Sequence, residues 1–289
     1  MLKNPIMVAA GTYGSEFIDY IPLERLGAFI TKTITVTPRE GNPQPRVFET
    51  ASGLLNSIGL ENVGINEFIK SHLPLFNYIT PLIVSIAGDS EIEYLQIASR
   101  LNYENMVDGI EVNISCPNVQ GGCAIGFSPT LTYELIREIR KLFHKNIIVK
   151  LTPNTMDIGY VAKAAESAGA DAISLVNTFL GMAIDVNTRH SRLSRPFAGL
   201  SGPAIKPLAL RLVWEVCRQV SIPVIGIGGI QTGEDVVEFI LAGASAVQIG
   251  SASFRDYNAP IKILDELICL LGKQGVENIK QLIGGFVID

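Results

Sequence analysis

Along the chain, short runs of aliphatic and β-branched residues alternate with stretches whose apolar positions recur every three or four residues. The runs lie near Met7–Ala10, Ala28–Thr33, Leu82–Ala87, Ile110–Ser115, Ile147–Leu151, Ala172–Val176, Pro223–Ile227 and Ala246–Gly250. Each reads as a strand buried on both faces. Between them, Glu91–Leu101 and Leu131–Phe143 have helical spacing. Ser128-Pro129 and Thr232-Gly233-Glu234-Asp235 predict helix starts, through a capping hydroxyl with proline or early acids. Ala164–Asp171 and Ile240–Ser245 resemble each other, each ending a helix at a glycine and feeding a strand. Eight strand–helix alternations predict a parallel sheet, and in 289 residues they fit an α/β fold of the (β/α)8 TIM-barrel type. An open, doubly wound sheet is the alternative. No linker or composition shift divides the chain, so residues 1–289 read as a single barrel domain. Two connections, Ile34–Gly64 and Asn177–Pro203, are long and read as functional or mobile loops. In a barrel both leave from the C-terminal face, where active sites are built.

Composition narrows the function. With 23 basic and 28 acidic residues the net charge is -5, which disfavours an electrostatic grip on nucleic acid. Hydrophobic residues make up 47% and charged residues 18%, enough for a large core. The N-terminus shows no signal-peptide pattern, and no apolar run approaches the roughly 18 residues of a membrane span. The expectation is a soluble, cytoplasmic protein with no membrane contact. The four cysteines form no CxxC pair and the three histidines no metal-ligand spacing, so no metal site is expected in this chain.

The fourth strand carries the sharpest chemical signal. Alternation sends Val112 and Ile114 toward the helices, and Glu111, Asn113 and Ser115 toward the barrel interior. Cys116 opens the loop beyond. Polar inward positions followed by a cysteine fit either a site or a buried structural cysteine among cap residues. Lys150 and Lys32 stand at strand ends, where a buried ammonium needs an anionic or hydrogen-bonded partner unless it snorkels to solvent. The pair points to an anionic ligand or to a cofactor that gains negative charge.

The last two strands end in Ile225-Gly226-Ile227-Gly228-Gly229-Ile230 and Val247-Gln248-Ile249-Gly250-Ser251. Loops after strands seven and eight form the recurrent phosphate site of such barrels, although the glycines also fit plain tight turns. They do not make a GxGxxG dinucleotide fingerprint. Asn56, Asn113, Asn118 and Asn177-Thr178 gather amides at the C-terminal face, suited to an imide or amide ring, although any one of them fits a turn or cap. Cys217 and Cys269 lie in helical apolar patterns and read as core residues, while Cys123 lies in a glycine-rich loop. His72, His144 and His190 receive no role.

Four motifs, Asn113-Ile114-Ser115-Cys116-Pro117-Asn118, Gly41-Asn42-Pro43-Gln44-Pro45-Arg46, Asn56-Ser57-Ile58-Gly59-Leu60 and Leu200-Ser201-Gly202-Pro203-Ala204-Ile205-Lys206-Pro207, resemble class 1 dihydroorotate dehydrogenases, in family order over nearly the whole chain. The loop Val119–Gly126 resembles the NAD-linked 1B type. The resemblance implies FMN as cofactor, dihydroorotate as substrate, and a place in pyrimidine (UMP) biosynthesis. It implies Cys116 as the base that takes the C5 proton while hydride passes from C6 to the flavin. It places Lys32, Asn56, Ser57, Ile58, Gly59, Leu60, Asn113, Asn118, Asn177 and Thr178 at the substrate. It places Ala10, Lys32, Thr33, Ser85, Asn113, Lys150, Val176, Gly202, Gly228, Gly229, Gly250 and Ser251 at FMN, the last four around its phosphate. Lys150 matches the lysine beside the flavin ring. The chain departs from the family at Ala10, usually serine, and at Ser85, usually asparagine. It also starts late, without the usual leading strand pair, which predicts a less covered barrel bottom. The 1B resemblance implies a partner subunit carrying FAD and a 2Fe–2S cluster, in a heterotetramer of two copies of each chain. Other readings are a flavin barrel that reduces uridine in tRNA, a Schiff-base lyase on Lys150, and a non-enzymatic phosphate-ligand barrel.

Overall fold

A computed structural model describes residues 2–76, 80–115 and 125–288. Cys116, Asn118 and Cys123 lie outside the described residues. All eight apolar runs form strands: β1 (Ile6–Val8), β2 (Ala28–Ile30), β5 (Leu82–Ile86), β6 (Gly109–Asn113), β7 (Asn146–Lys150), β8 (Ala172–Leu175), β11 (Val224–Ile227) and β12 (Ala246–Ile249). They close into one parallel barrel in the order β1-β12-β11-β8-β7-β6-β5-β2. In that ring β2 stands opposite β8, and β6 opposite β12.

Alternation along each strand separates two cores. Ile6, Val8, Phe29, Val84, Val112, Val149, Ile173 and Val247 face the surrounding helices. Met7, Ile30, Ile83, Ile148 and Ile225 fill the barrel interior with Ala28 and Ala246, none more than 6% exposed. The bottom half of the barrel is thus plugged by its own side chains, and among the described residues no strand pair precedes β1.

The helices are α1 (Gly64–Glu67), α2 (Glu91–Asn102), α3 (Pro129–Leu142), α4 (Ile158–Ser167), α5 (Lys206–Cys217), α6 (Gly233–Leu241), α7 (Ala252–Arg255) and α8 (Ala259–Lys273). Their starts follow the sequence signals. The Ser128 hydroxyl accepts from Leu131 N at the head of α3, with Pro129 in its first turn. Thr232 and Asp235 make a reciprocal capping box on α6. Between β1 and β2, only 3-10 turns at Ser15–Tyr20 and Leu23–Arg25 replace a helix. No described helix is long and apolar enough to cross a membrane.

The two long connections differ from the expected loops. The first folds into the hairpin β3 (Val47–Thr50) and β4 (Gly53–Asn56), and the second supplies β9 (Phe179–Gly181) and β10 (Ala198–Ser201). They join in one antiparallel sheet of order β3-β4-β10-β9. Leu55, Leu193 and Ala198 are its small core. Because β2 and β8 stand opposite each other, this sheet bridges the C-terminal mouth.

Close packing between barrel and helix layer leaves little slack at Gly226. A Cβ there would overlap the ring of Phe239, which is fully buried on α6. Gly226→Ala is expected to lose about 1–3 kcal/mol of stability through overpacking. Urea unfolding reads this directly, and an unchanged midpoint would mean that the Phe239 ring gives way freely.

Candidate active site

The polar inward positions meet inside the barrel. Glu111 on β6 is completely buried. Its carboxylate accepts hydrogen bonds from Lys150 Nζ at 3.2 Å, Ser174 Oγ at 2.9 Å and Gln248 Nε2 at 2.6 Å. Lys150 at the end of β7 is 6% exposed, and Ser174 and Gln248 are fully buried. A buried ion pair persists only when its remaining hydrogen-bonding capacity is met, and here two neutral donors meet it. Two buried polar atoms are left over: Gln248 Oε1 and Ser115 Oγ find no partner among the described residues.

Above this layer the amides form a chain. Asn113 Oδ1 accepts from Asn177 Nδ2 at 3.3 Å and from the Ser115 backbone N–H at 3.2 Å. Asn177 Oδ1 accepts from the Thr178 N–H at 2.8 Å, and Asn154 Nδ2 donates to the Thr178 carbonyl at 3.0 Å. Tyr94 OH, from α2, donates to the Asn113 carbonyl at 2.8 Å and fixes the strand end. Asn113, Asn177 and Thr178 are therefore brought together at the exits of β6 and β8. Asn56 Nδ2 donates to the Gly199 carbonyl of β10 at 3.3 Å, which ties it to the bridging sheet.

On the neighbouring wall, the Thr33 and Ser85 hydroxyls lie 2.8 Å apart and both residues are buried. The Ser85 hydroxyl is thus engaged sideways, within the barrel wall. Ala10 packs against the interior apolar cluster. Val176 is buried, and its N–H donates to the Ile227 carbonyl at 3.0 Å. Lys32 is exposed and lines, with Tyr13, Phe29 and Arg39, a cavity of about 320 Å³ beside β2.

Ser57, Ile58, Gly59 and Leu60 are held mainly by the Gly41–Arg46 segment. The Ser57 N–H donates to the Arg46 carbonyl at 2.7 Å and Asn42 Nδ2 to Ser57 Oγ at 3.0 Å. The Asn42 N–H donates to the Ile58 carbonyl at 2.9 Å, and Arg46 pairs with Glu61 at 2.6 Å. Leu60 has φ of 55°, a left-handed conformation that is costly for a non-glycine residue. The two motifs form one braced unit beside the mouth.

The glycine turns after β11 and β12 form a rim, tight at the first turn and open at the second. Gly228 and Gly229 have φ of 130° and 74°, and a Cβ on Gly229 would come within 2.7 Å of Lys206 Cβ and 2.9 Å of the Gly202 carbonyl. Glycine is required there. Gly250 faces space: a Cβ on it would find Ala9 Cβ, 3.8 Å away, as its nearest neighbour, and Ser251 follows it into α7. Behind the rim, Lys206 Nζ pairs with Asp235 at 2.6 Å and Glu238 at 3.0 Å. Burial pushes the Asp235 carboxyl up, but Lys206 and the Gln231 and Thr232 N–H groups outweigh it and hold it below the usual carboxylate range.

The described cysteines split. Cys217 is half-buried at the end of α5, and burial pushes its thiol up to about 12. Cys269 is exposed, contrary to the core position expected. On helix α8, Ile261, Ile263, Leu264 and Leu267 turn inward, while Ile268 and Cys269 turn out among Lys262, Asp265 and Glu266. Among the described residues, no three His, Cys, Asp or Glu side chains cluster as metal ligands. Sequence reasoning left Ser174 and Gln248 without a role. The alternation that singled out Glu111 also points them inward, but their common target appears only once the barrel closes.

A buried lysine–carboxylate pair, a chain of amides and two glycine turns thus meet at the mouth of a (β/α)8 barrel. The family model for dihydroorotate dehydrogenase matches residues 1–271. The chain belongs to the dihydroorotate dehydrogenase family. Relatives named dihydroorotate dehydrogenase B (NAD(+)), catalytic subunit, align almost end to end. That of Thermoanaerobacter pseudethanolicus is 49% identical over 292 residues, spanning 100% of this chain and 96% of the relative. That of Geobacter sp. (strain M21) is 51% identical over 287 residues, spanning 98% and 94%. That of Geotalea uraniireducens is 49% identical over 290 residues, spanning 99% and 95%.

Two outcomes follow from the titrating groups. In native protein at pH 8, iodoacetamide is expected to alkylate Cys269 and spare Cys217, whose thiol stays protonated; peptide mass spectrometry showing equal labelling would mean that α5 opens readily. A depressed Asp235 pKa contributes stability that is full above the unfolded value of about 3.9 and is lost as pH falls through the folded value. The stability gap between the protein and Asp235→Asn, from urea unfolding, should therefore be constant near neutrality and shrink below about pH 4.

Proposed function

We propose that this chain oxidises dihydroorotate to orotate on bound FMN, as the catalytic subunit of an NAD-linked enzyme of pyrimidine biosynthesis. The observation that carries the reading is the buried Lys150–Glu111 pair, set under the amide chain and beside the glycine rim. Its surroundings fit FMN: Gln248 Oε1 and Ser115 Oγ are buried polar atoms without partners among the described residues, and the Gly250 rim is open. When bound, FMN supplies the hydride acceptor.

The chain's own residues do the rest. The N–H groups of Gly228, Gly229, Gly250 and Ser251 offer donors to a phosphate. Gly202, Val176, Ala10, Thr33 and Ser85 would wall the ring. Lys150 would present its ammonium to the flavin ring and stabilise negative charge there. Lys32 would meet the substrate carboxylate. Asn56, Asn113, Asn118, Asn177 and Thr178 would orient the pyrimidine ring through paired donors and acceptors, with Ser57–Leu60 closing over it. Cys116 would accept the C5 proton as the C6 hydride departs, leaving a C5–C6 double bond. An unperturbed thiol titrates near about 8.5, so the rate should climb with pH toward that value.

Electrons would pass to NAD through a partner subunit carrying FAD and a 2Fe–2S cluster, in a heterotetramer of two copies of each chain. The relatives' designation as a catalytic subunit supports a partner, and the sequence has no GxGxxG run of its own. A cytoplasmic location accords with an enzyme of nucleotide synthesis.

The test is anaerobic. Purified chain reconstituted with FMN should be yellow and should bleach on adding dihydroorotate. Cys116→Ala should bind FMN equally but bleach about 10²–10⁴-fold more slowly. Failure of the wild-type chain to bind FMN would refute the reading, and unchanged bleaching would remove Cys116 from its role.

A further inference from the structure

We propose that Glu111 is a positioning residue that sets the flavin's redox potential, by pinning Lys150 in place and offsetting its charge. The inference rests on the reading that FMN binds beside Lys150.

The two oxygens of Glu111 divide the work. Oε2 accepts from Ser174 Oγ at 2.9 Å and from Gln248 Nε2 at 2.6 Å, while Oε1 faces Lys150 Nζ at 3.2 Å. The shorter bonds come from the scaffold: β8 lies next-but-one to β6 in the ring, and β12 on the opposite wall. They hold the carboxylate rigid, so its second oxygen fixes the ammonium. Gln248 turns its amide nitrogen to the carboxylate and leaves its own oxygen buried without a partner among the described residues. An arrangement that served packing alone would not leave a buried carbonyl unmet. The layer beneath shows the apolar alternative, since Ile30, Ile83 and Ile148 fill the same interior without charge. Glu111 and Lys150 are 0% and 6% exposed, so their charges act through little solvent.

Reduction adds two electrons and one proton to the flavin ring, which gains one net negative charge. An unopposed ammonium beside it would favour the reduced form strongly. A carboxylate fixed behind that ammonium cancels most of the attraction and keeps the potential low, so that electrons can be passed onward. Removing the carboxylate charge must then raise the potential.

The experiment compares wild type with Glu111→Gln and Glu111→Asp as FMN-loaded enzymes, copurified with any partner chain. FMN affinity is first measured by fluorescence quenching. Each protein is then reduced slowly by xanthine and xanthine oxidase against a reference dye, following the flavin absorbance. At fixed dye potential, Glu111→Gln should raise the reduced-to-oxidised flavin ratio at least about tenfold, about 30 mV for a two-electron couple. Glu111→Asp keeps the charge and should stay within about threefold of wild type. Coincidence of Glu111→Gln with wild type overturns the proposal, and so does a shift in Glu111→Asp equal to that of Glu111→Gln, which would mark a packing effect. If Glu111→Gln does not retain FMN, the double variant Glu111→Gln/Lys150→Met decides. A ratio within about threefold of wild type supports mutual cancellation, and a fall of about tenfold overturns it by showing Lys150 acting unopposed. Absence of FMN binding by wild type would instead refute the underlying reading, and is seen in the quenching measurement alone.

Discussion

A carboxylate sealed from water must be matched from within, and this requirement organises the upper half of the barrel. Glu111 is met from the adjacent strand by Lys150, from the next-but-one by Ser174, and from the far wall by Gln248. Below this point the interior is filled by Met7, Ile83, Ile148 and Ile225. Removing one member of such a set is costly, because a buried charge stripped of its partner loses about 3–5 kcal/mol. The group therefore marks where the barrel stops being a core and becomes a site.

The mouth above it is assembled from independent supports. The amides of Asn113, Asn177 and Thr178 are fixed by each other and by Tyr94 and Asn154. The rim glycines are backed by Lys206 and its two carboxylates. The Asn56–Leu60 segment is braced by Gly41–Arg46. Tyr94, Asn154, Lys206 and the Gly41–Arg46 segment lie outside the proposed contact surface, so the facing groups are held before any ligand arrives, which is what preorganised electrostatics requires.

Much of this was legible in the sequence. The eight apolar runs matched the barrel strands because both faces of a parallel barrel strand are buried, which writes an unbroken apolar signal. The starts of α3 and α6 were marked by Ser128 and Thr232. Glu111 and Asn113 stood out by alternation. The bridging sheet did not, because its strands are three or four residues long and β4 finds its partner far along the chain, as the Asn56–Gly199 bond at a separation of 143 residues shows. The partners of Glu111 were hidden for a similar reason: Gln248 lies 137 residues away and meets it only through ring closure. Cys269 misled because it stands in the apolar run Leu267–Leu271, of which Ile268 and Cys269 turn to solvent.

The bridging sheet also bears on how the molecule comes together. Its central pairing, β4 with β10, links segments that leave opposite walls of the ring. Bringing such distant segments together in an open chain costs loop-closure entropy that a few short ladder bonds cannot repay. Once the barrel has closed, β2 and β8 already hold the two segments face to face and most of that cost is gone. The order of assembly is thus built into the topology: the barrel closes first and the canopy second. The mouth is completed at the last step, by a layer that owes its stability to the scaffold beneath it.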